Sequence, residues 1–488
     1  MKSNTEGSSV HAQTQASSPE TFLTRHPALK YLGFSLLLTY HYVLWFQPDS
    51  FVDTALLSDR TTFAWLINLA GTILTLGITA LIVGRKHHLS GQRWLMIVAP
   101  LLLTAGTLVL CYLPAEFENP FIYYGLSFVL GSLEALLLLL WGERYACIKA
   151  NFSIMHIGAV FSLTIVVSMV IAWIFPKDLT PLFTACLPLL SAALLLYGAK
   201  NTAMVFPPLL PREGTRGAMR STFIVCLISF IASMACYFLV AIIPWEALPF
   251  LDSSFMLGIL VGAGLMLLLA CIYTLSKGKL NIFKLYPWMI ILVITSFALF
   301  LADEALYSAS FLAALGVSSL FETVLIIYFG ILTTKGYLSP VMAFSLSIIS
   351  NRTGILVGNS LAIGFERVDW MPFAFVPEVA LTFICLLAMV LIPLIRQEFT
   401  LLAITSAPLA ANELDSICEQ MNEEFKLSDR EGEILRLLAR GNTANGIATK
   451  LVISPHTVNT HIRHIYEKTQ IHKRSDLLDY INMHRGDL

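Results

Sequence analysis

Residues 306–333 read LYSASFLAALGVSSLFETVLIIYFGILT, a long run with a single charge, Glu322. About 20 mostly apolar residues suffice to cross a bilayer, so this run is long enough to span one. A charge within such a span costs at least ~2.5–3.5 kcal/mol, so it is expected to face a protein interior and find a partner there. Residues 120–142, PFIYYGLSFVLGSLEALLLLLWG, carry the same signature around Glu134. Each glutamate is followed eight residues later by a glycine, Gly142 or Gly330, and each glycine is preceded by an aromatic, Trp141 or Phe329. A shift of about 188 residues lays one segment on the other.

Working outward, ten further runs of similar character appear, near 29–46, 61–83, 94–113, 152–175, 181–198, 222–243, 254–275, 286–301, 340–363 and 370–395. The first and ninth spans are short. Hydrophobic residues make up 56% of the chain and charged residues 13%, against about 25% charge in soluble domains, so a soluble globular class is excluded. Net charge is −1 and names no partner. The eight cysteines are scattered singly, most of them in apolar runs, and read as small buried hydrophobes; no metal site and no cofactor is expected. Residues 1–27 are polar, lack a signal-peptide pattern and read as a disordered cytoplasmic arm. No HExxH, GxSxG or GxxxxGK[ST] motif occurs, so an enzyme is not expected.

Loop charges set the orientation. One set of loops carries Arg85, Lys86 and Arg93, then Arg144 and Lys149, then Lys200, Arg212, Arg216 and Arg220, then Lys277, Lys279 and Lys284, then Lys335 and Arg396. The alternate set carries acids: Asp49, Asp53 and Asp59, Glu116 and Glu118, Glu246 and Asp252, Asp303 and Glu304, Glu366 and Asp369. The basic set marks the cytoplasmic side, which predicts both termini there, in a bacterial cytoplasmic membrane.

Spans 2, 4, 5, 6, 8, 10, 11 and 12 fall into register under the same shift, giving repeats at about 28–200 and 216–396 within a membrane domain at 28–396. Two six-helix halves in parallel repeat resemble the major facilitator superfamily of transporters. Its loop signature between helices 2 and 3 is only partly present: Gly84, Gly91 and Arg93 match, but His88 and Leu89 stand where the family has Asp and Arg. That departure puts transport in doubt. Glu134, Glu322 and Arg352 lie deep within spans, with Glu134 roughly 12 Å along its helix from Gly142. The resemblance implies that Glu134 and Glu322 face each other across a central cavity. Two readings stay open: a ligand or proton site between the halves, or a buried ion pair of Arg352 with one glutamate. His41, between Tyr40 and Tyr42, is a further candidate, and Asn68 and Asn351 are weaker ones.

Residues 397–426 form a joint with six acids, Glu398, Glu413, Asp415, Glu419, Glu423 and Glu424. Leu414, Ile417, Cys418, Met421 and Phe425 recur at helical spacing. That stripe suits the domain beyond, a second copy, or the bundle.

Four short helical patterns follow from Leu427. Ser428 and Glu431 spell a capping box ahead of Ile434, Leu435 and Leu438, and Gly441 stops that helix. Thr443 caps a second. Ser454, with Pro455 in the first turn, caps a third whose inner face is Val458, Ile462 and Ile465. A fourth begins at Ser475. From Lys426 onward, ten basic residues stand against seven acidic ones, a modest footprint for phosphates. Two helices across a short turn, the second polar and outward, suit the major groove. The stretch Leu427-Ser-x-Arg430-Glu431, Leu438-Ala439-x-Gly441, Ile447-Ala448, Ile453-Ser454-x-x-Thr457-Val458-x-x-His461-Ile462 and Ile465-Tyr466-x-Lys468 resembles the LuxR-type helix-turn-helix domain. One departure is Gly446, where the family usually has Glu. The resemblance implies that Asn459, Thr460 and Arg463 face base edges, and that His456, Thr457, Lys468 and Arg474 lie near phosphates.

The sequence therefore predicts an all-α chain: a polytopic membrane bundle of about twelve helices, major-facilitator-like, followed by a four-helix LuxR-type domain at 427–488. The expected function is a membrane-embedded one-component transcriptional regulator, in which a small-molecule ligand acts on the membrane domain. The alternative is a secondary transporter with a regulatory DNA-binding tail. Expected partners are double-stranded promoter DNA, membrane lipid, the ligand and a second copy of the chain on DNA, with RNA polymerase as a further candidate.

Overall fold

The computed structural model describes residues 29–52, 59–84, 88–113, 119–148, 154–201, 206, 209, 212–248, 253–276, 285–367, 375–405, 411–471, 473, 476, 477 and 480. Among them the chain is all helical. Twelve apolar helices come first: α1 Leu29–Phe46, α2 Asp59–Ile82, α3 Leu95–Tyr112, α4 Pro120–Cys147, α5 Ala159–Ile174, α6 Thr180–Asn201, α7 Arg212–Ile242, α8 Ser254–Leu275, α9 Tyr286–Ala302, α10 Tyr307–Thr334, α11 Pro340–Arg367 and α12 Val376–Thr405. Four polar helices follow: α13 Ala411–Glu424, α14 Asp429–Ala439, α15 Ala444–Leu451 and α16 Pro455–Thr469.

Ten segments among the described residues are long and apolar enough to cross a membrane. The two remaining apolar helices are α1, with 18 residues, and α9, with 17, the two that the sequence marks as short. Leu81, Ile82, Trp173, Ile174, Phe223 and Leu275 point outward. In water so much exposed apolar surface would aggregate; in a bilayer it faces lipid. The protein is a membrane protein.

The repeat is visible in which helices touch. In the first half α1 packs on α5 and α6, α2 on α4, and α3 on α4 and α6. In the second half α7 packs on α11 and α12, α8 on α10, and α9 on α10 and α12, the same pairings six helices later. The halves meet through α2 with α11 and α5 with α8, which are again equivalent under the exchange. Gly131 explains how close α2 and α4 come, because a Cβ there would collide with the backbone of Asn68. Gly262 meets the backbone of Gly316 in the α8–α10 pair in the same way. Small residues at such crossings let helices pack without a hydrophobic driving force.

Some boundaries differ from the sequence reading. Helix α7 starts at Arg212, ahead of its apolar run, and α12 continues to Thr405, past the expected end near 395. Good helix formers such as Leu, Gln and Glu carry the coil on after the apolar window closes. Helix α5 is preceded by a π-helical turn, Ile154–Gly158.

A second, separate core holds the C-terminal part together. Ile434, Leu435 and Leu438 of α14 pack with Ile447 and Ala448 of α15, Val458 and Ile465 of α16, and Leu477. Ile417, Cys418 and Met421 of α13 belong to this same core, and Arg440 binds Asp415 at 2.8 Å. The α13 stripe thus chooses the domain beyond it, and the folded unit begins before Leu427. Burial pushes the Cys418 thiol up to about 11. Of the predicted fourth helix, Asp476, Leu477 and Tyr480 are described and helical. Tyr480 donates to Glu424 at 2.9 Å and stands against Phe425 at 6.1 Å.

Candidate functional site

The helix pairing brings α1 and α4 of the first half against α10 and α11 of the second. Glu134 on α4 is wholly buried. Its Oε1 lies 3.3 Å from Nη2 of Arg352 on α11, and its Oε2 lies 3.1 Å from Nδ1 of His41 on α1. Nη1 of Arg352 lies 2.6 Å from His41 Nε2 and 3.0 Å from Nδ1 of the same ring, and the indole N–H of Trp65 donates to Nε2 at 3.4 Å. His41 is thus wedged against an ion pair that joins the two halves.

One residue along α1, Tyr42 donates its hydroxyl to Glu322 on α10. Glu322 is only part-buried and has no cation partner among the described residues. The repeat thus places two related glutamates beside neighbouring positions of one helix and gives them unlike surroundings. Glu134 is neutralised; Glu322 is held by a hydroxyl alone. Of the two readings left open by the sequence, the ion pair exists, and it uses one glutamate only. Asn68 and Asn351 tie helices together within each half: Asn68 donates to the Ser127 carbonyl at 3.2 Å, and Asn351 accepts from Ser233 at 3.3 Å.

The sequence reading missed Tyr42 and Trp65. It also missed Glu143, at the end of α4. The Glu143 carboxylate accepts the backbone N–H of Leu89 at 2.9 Å and of Ser90 at 2.7 Å. This holds the Leu89–Gly91 turn against the end of α4. Ser339, at the start of α11, donates to the Gly84 carbonyl at 3.0 Å and ties the chain after α2 to the second half. At the opposite end of the bundle, Arg367 of α11 pairs with Asp59 of α2. Between that pair and the buried charges lies a cavity of about 120 Å³. Trp65 lines it and also touches His41.

In the C-terminal part, every cap expected from the sequence is made. Ser428 Oγ accepts the Glu431 N–H at 3.3 Å while Glu431 accepts the Ser428 N–H at 2.8 Å. Thr443 caps α15 through the Gly446 N–H at 3.2 Å, and Ser454 caps α16 through the Thr457 N–H at 3.0 Å. Gly441 takes φ +86° after α14, the left-handed conformation that glycine adopts freely. Residues 426–481 match the family described as bacterial regulatory proteins, luxR family.

The C-terminal unit is a LuxR-type helix-turn-helix domain.

Over 63 residues the chain is 35% identical to the fimbriae Z protein of Salmonella typhimurium, covering 13% of this chain and 30% of that relative. The chain thus spans less than a third of that relative's length. The membrane region is similar to two solved structures at low identity. One is the human organic anion transporter MFSD10 (TETRAN), with a TM-score of 0.46, 15% identity and coverage of 75% of this chain and 96% of that one. The other is FucP, a major facilitator superfamily transporter in the outward conformation, with a TM-score of 0.46, 12% identity and coverage of 76% and 98%.

On the LuxR-type domain, His456, Thr457, Asn459 and Arg463 are exposed along the outer face of α16. Thr460 is half-buried and donates to the His456 carbonyl at 3.1 Å. Thr457 is drawn into the cap, 2.8 Å from Ser454 Oγ. Arg463 lies 3.8 Å from Glu467, a loose exposed pair. Lys468 is committed inward, its ammonium 2.7 Å from the Glu431 carboxylate. Burial works to raise the Glu431 carboxyl, but Lys468 and the Ser428 cap outweigh it and hold it at about 2. His461 and His464 bring ring nitrogens within 4.8 Å of that carboxylate. Arg474 lies outside the described residues.

Proposed function

We propose that the protein is a membrane-embedded one-component transcriptional regulator of a bacterial cytoplasmic membrane, with both termini in the cytoplasm. A small molecule acts on the membrane domain, and the LuxR-type domain reads a promoter site. The observation that carries this reading is the ion pair of Glu134 and Arg352, with His41 between them. It joins the halves at their centre and leaves Glu322 without a cation. A ligand or proton that engages Glu322 better in one arrangement of the halves shifts the population toward that arrangement.

Helix α12 supports the route outward. It runs unbroken to Thr405, about ten residues past the expected end of its span, or roughly 15 Å. Only residues 406–410 separate it from α13, which is itself part of the DNA-binding core. A change in α12 therefore has a short path to the domain. Asn459, Thr460 and Arg463 are assigned to base edges, with Arg463 suited to guanine, and His456 and Thr457 to phosphates. Lys468 serves the domain's interior first, so its phosphate role is secondary; Arg474 is kept as a phosphate contact. Such domains bind paired half-sites, so a dimer on DNA is expected, with RNA polymerase as a further contact.

The test is a reporter driven by the cognate promoter. Glu322→Gln keeps a hydrogen-bond acceptor for Tyr42 and removes the charge. It is expected to change output while protein level stays at wild type; unchanged output under every inducing condition overturns the sensing role. Arg463→Ala is expected to weaken operator binding by ~1–3 kcal/mol, the worth of a bidentate guanine contact. Undiminished sequence-selective binding would remove Arg463 from base readout. The alternative, a transporter with a regulatory tail, draws on contacts between the halves at both ends of the bundle, Asp59 with Arg367 and Ser339 with Gly84. Ligand-dependent flux in vesicles would favour it over the regulator alone.

A further inference from the structure

The cavity of about 120 Å³ lies where α1 and α7 end, α2 and α8 begin and α11 ends. By connectivity this is the end of the bundle opposite the one from which α12 leads to the DNA-binding domain. Its walls are unusually aromatic, with Trp45, Phe46, Trp65, Trp245 and Phe255 among them. The rings form a bridge between the halves: Phe46 of α1 stands 5.2 Å from Phe255 of α8, and Trp65 of α2 stands 5.8 Å from Tyr237 of α7.

The charges around this path do not balance. Asp59 is answered by Arg367, and Glu134 by Arg352. Glu366 lines the cavity beside Arg367, which already pairs with Asp59, and neither it nor Glu322 is in an ion pair of its own among the described residues. The cavity wall already holds one cation over a ring: the Arg367 guanidinium lies 5.2 Å from the Phe63 centroid. Aromatic faces attract cations by their quadrupole, more strongly once water is excluded.

We propose that this cavity binds a small organic cation with an aromatic or otherwise apolar body, its charge at Glu366 and its body among the rings. The proposal rests on the sensing role argued above and names the chemistry of what is sensed. At about 120 Å³ the cavity has room for one ring at most, with a charged tail left outside it at the exposed Glu366. An apolar cavity of about 150 Å³ takes benzene, and drug-sized sites begin near ~300 Å³. Anions are disfavoured by the two unpaired carboxylates. Neutral apolar molecules gain nothing from the exposed Glu366 carboxylate.

The link to the centre is also built. Trp65 lines the cavity and donates to His41 Nε2. Phe46 lines the cavity and lies 6.5 Å from the His41 ring on the same helix. A body seated between these rings reorients the donor that, with Arg352, fixes the imidazole between Arg352 and Glu134.

The test uses the full-length protein in lipid nanodiscs and three probes of nearly one shape: phenethylammonium, 2-phenylethanol and phenylacetate. Three tryptophans line the cavity, so binding is read by intrinsic fluorescence. Saturable binding of the ammonium probe is expected, with the alcohol and the carboxylate far weaker. Glu366→Gln, at an exposed position outside the core, is expected to lower affinity for the ammonium probe by about tenfold, the loss of one charge-assisted contact. Trp245→Leu is expected to lower it as well, while the alcohol is little affected by Glu366→Gln. Equal binding of all three probes, binding of none, or a cation affinity indifferent to both substitutions overturns the site. Operator binding in the same samples separates the two ideas. Cation binding that Glu366→Gln weakens, without any effect on operator binding, upholds the site and overturns sensing. Loss of the site while Glu322→Gln still alters reporter output overturns the site and leaves sensing standing.

Discussion

Glu134 and Glu431 stand in matching company at opposite ends of the chain. Each is a buried carboxylate reached by a cation from another helix, and each has a histidine beside it. Glu134 is wholly buried, as is nearly all of Arg352, and its partners come from α1 and α11, in different halves of the bundle. Glu431 is 6% exposed, but its cation Lys468 is 41% exposed, and His464 stands off at 3.9 Å. Everything around Glu431 belongs to one small core that has no moving halves. The same chemistry thus serves as a joint between halves in the membrane and as a staple in the DNA-binding domain. Exposure decides how much each is worth. Lys468 is already screened by water, and Glu431 keeps the Ser428 N–H when it goes, whereas nothing replaces a partner lost at the centre of the bundle.

The largest expected effect follows from that contrast. Arg352→Met leaves Glu134 ionised with only His41 beside it. Removing one partner of a buried pair costs about 3–5 kcal/mol. The detergent-solubilised protein should melt markedly lower, and expression should fall. Replacing both members, Arg352→Met with Glu134→Gln, should recover much of the loss, since a neutral pair leaves no stranded charge. Lys468→Met should cost only about 1 kcal/mol, because its ammonium is half in water. Equal losses at Arg352 and Lys468 would break the comparison.

How far these features were legible in the sequence depends on the same physics. Glu134, Glu322, Arg352 and His41 stand out because a polar group in an apolar run has to be accounted for. Which of them pair was not legible, since depth along a helix says nothing about rotation around it. Tyr42 and Trp65 were passed over because aromatics in spans ordinarily read as packing or as an interfacial belt. Glu143 was passed over because a charge at the end of a span reads as solvated, whereas here it holds Leu89 and Ser90. The α13 stripe showed a face but not what it faces. In the LuxR-type domain nearly every cap was readable, because a cap lies within four residues of what it satisfies.

A middle-sized effect concerns acid. Glu431 is held at about 2 in the fold, below the ~4.3 of an unperturbed glutamate. A depressed carboxyl gives stability that is complete above the unfolded value and is lost as pH falls from there toward about 2. The LuxR-type domain should therefore lose on the order of 1 kcal/mol across that window, given how exposed Lys468 is. Pulse proteolysis of the full chain in urea, read at a C-terminal tag, gives the midpoint at each pH. Lys468→Met should lower the midpoint at neutral pH and flatten its dependence on acid. A wild-type midpoint that stays level across the window would mean that the pair is fully screened.

The smallest effect lies at the wettest position. Val452, in the turn between α15 and α16, has φ 54° and is 89% exposed. A left-handed conformation costs a β-branched residue about 1–2 kcal/mol, and no burial compensates for it here. Val452→Gly removes that strain but adds freedom to the unfolded chain, which takes back about 0.5–1 kcal/mol. A net gain near 0.5–1 kcal/mol is expected by the same proteolysis assay. Operator affinity should be unchanged, since α16 is fixed by Val458, Ile465 and the Ser454 cap rather than by this side chain. A gain in stability paired with weaker operator binding would show instead that the strained turn aims the helix. The domain would then have a working part of its own, and the division between a moving membrane centre and a rigid reader would have to be redrawn at Val452.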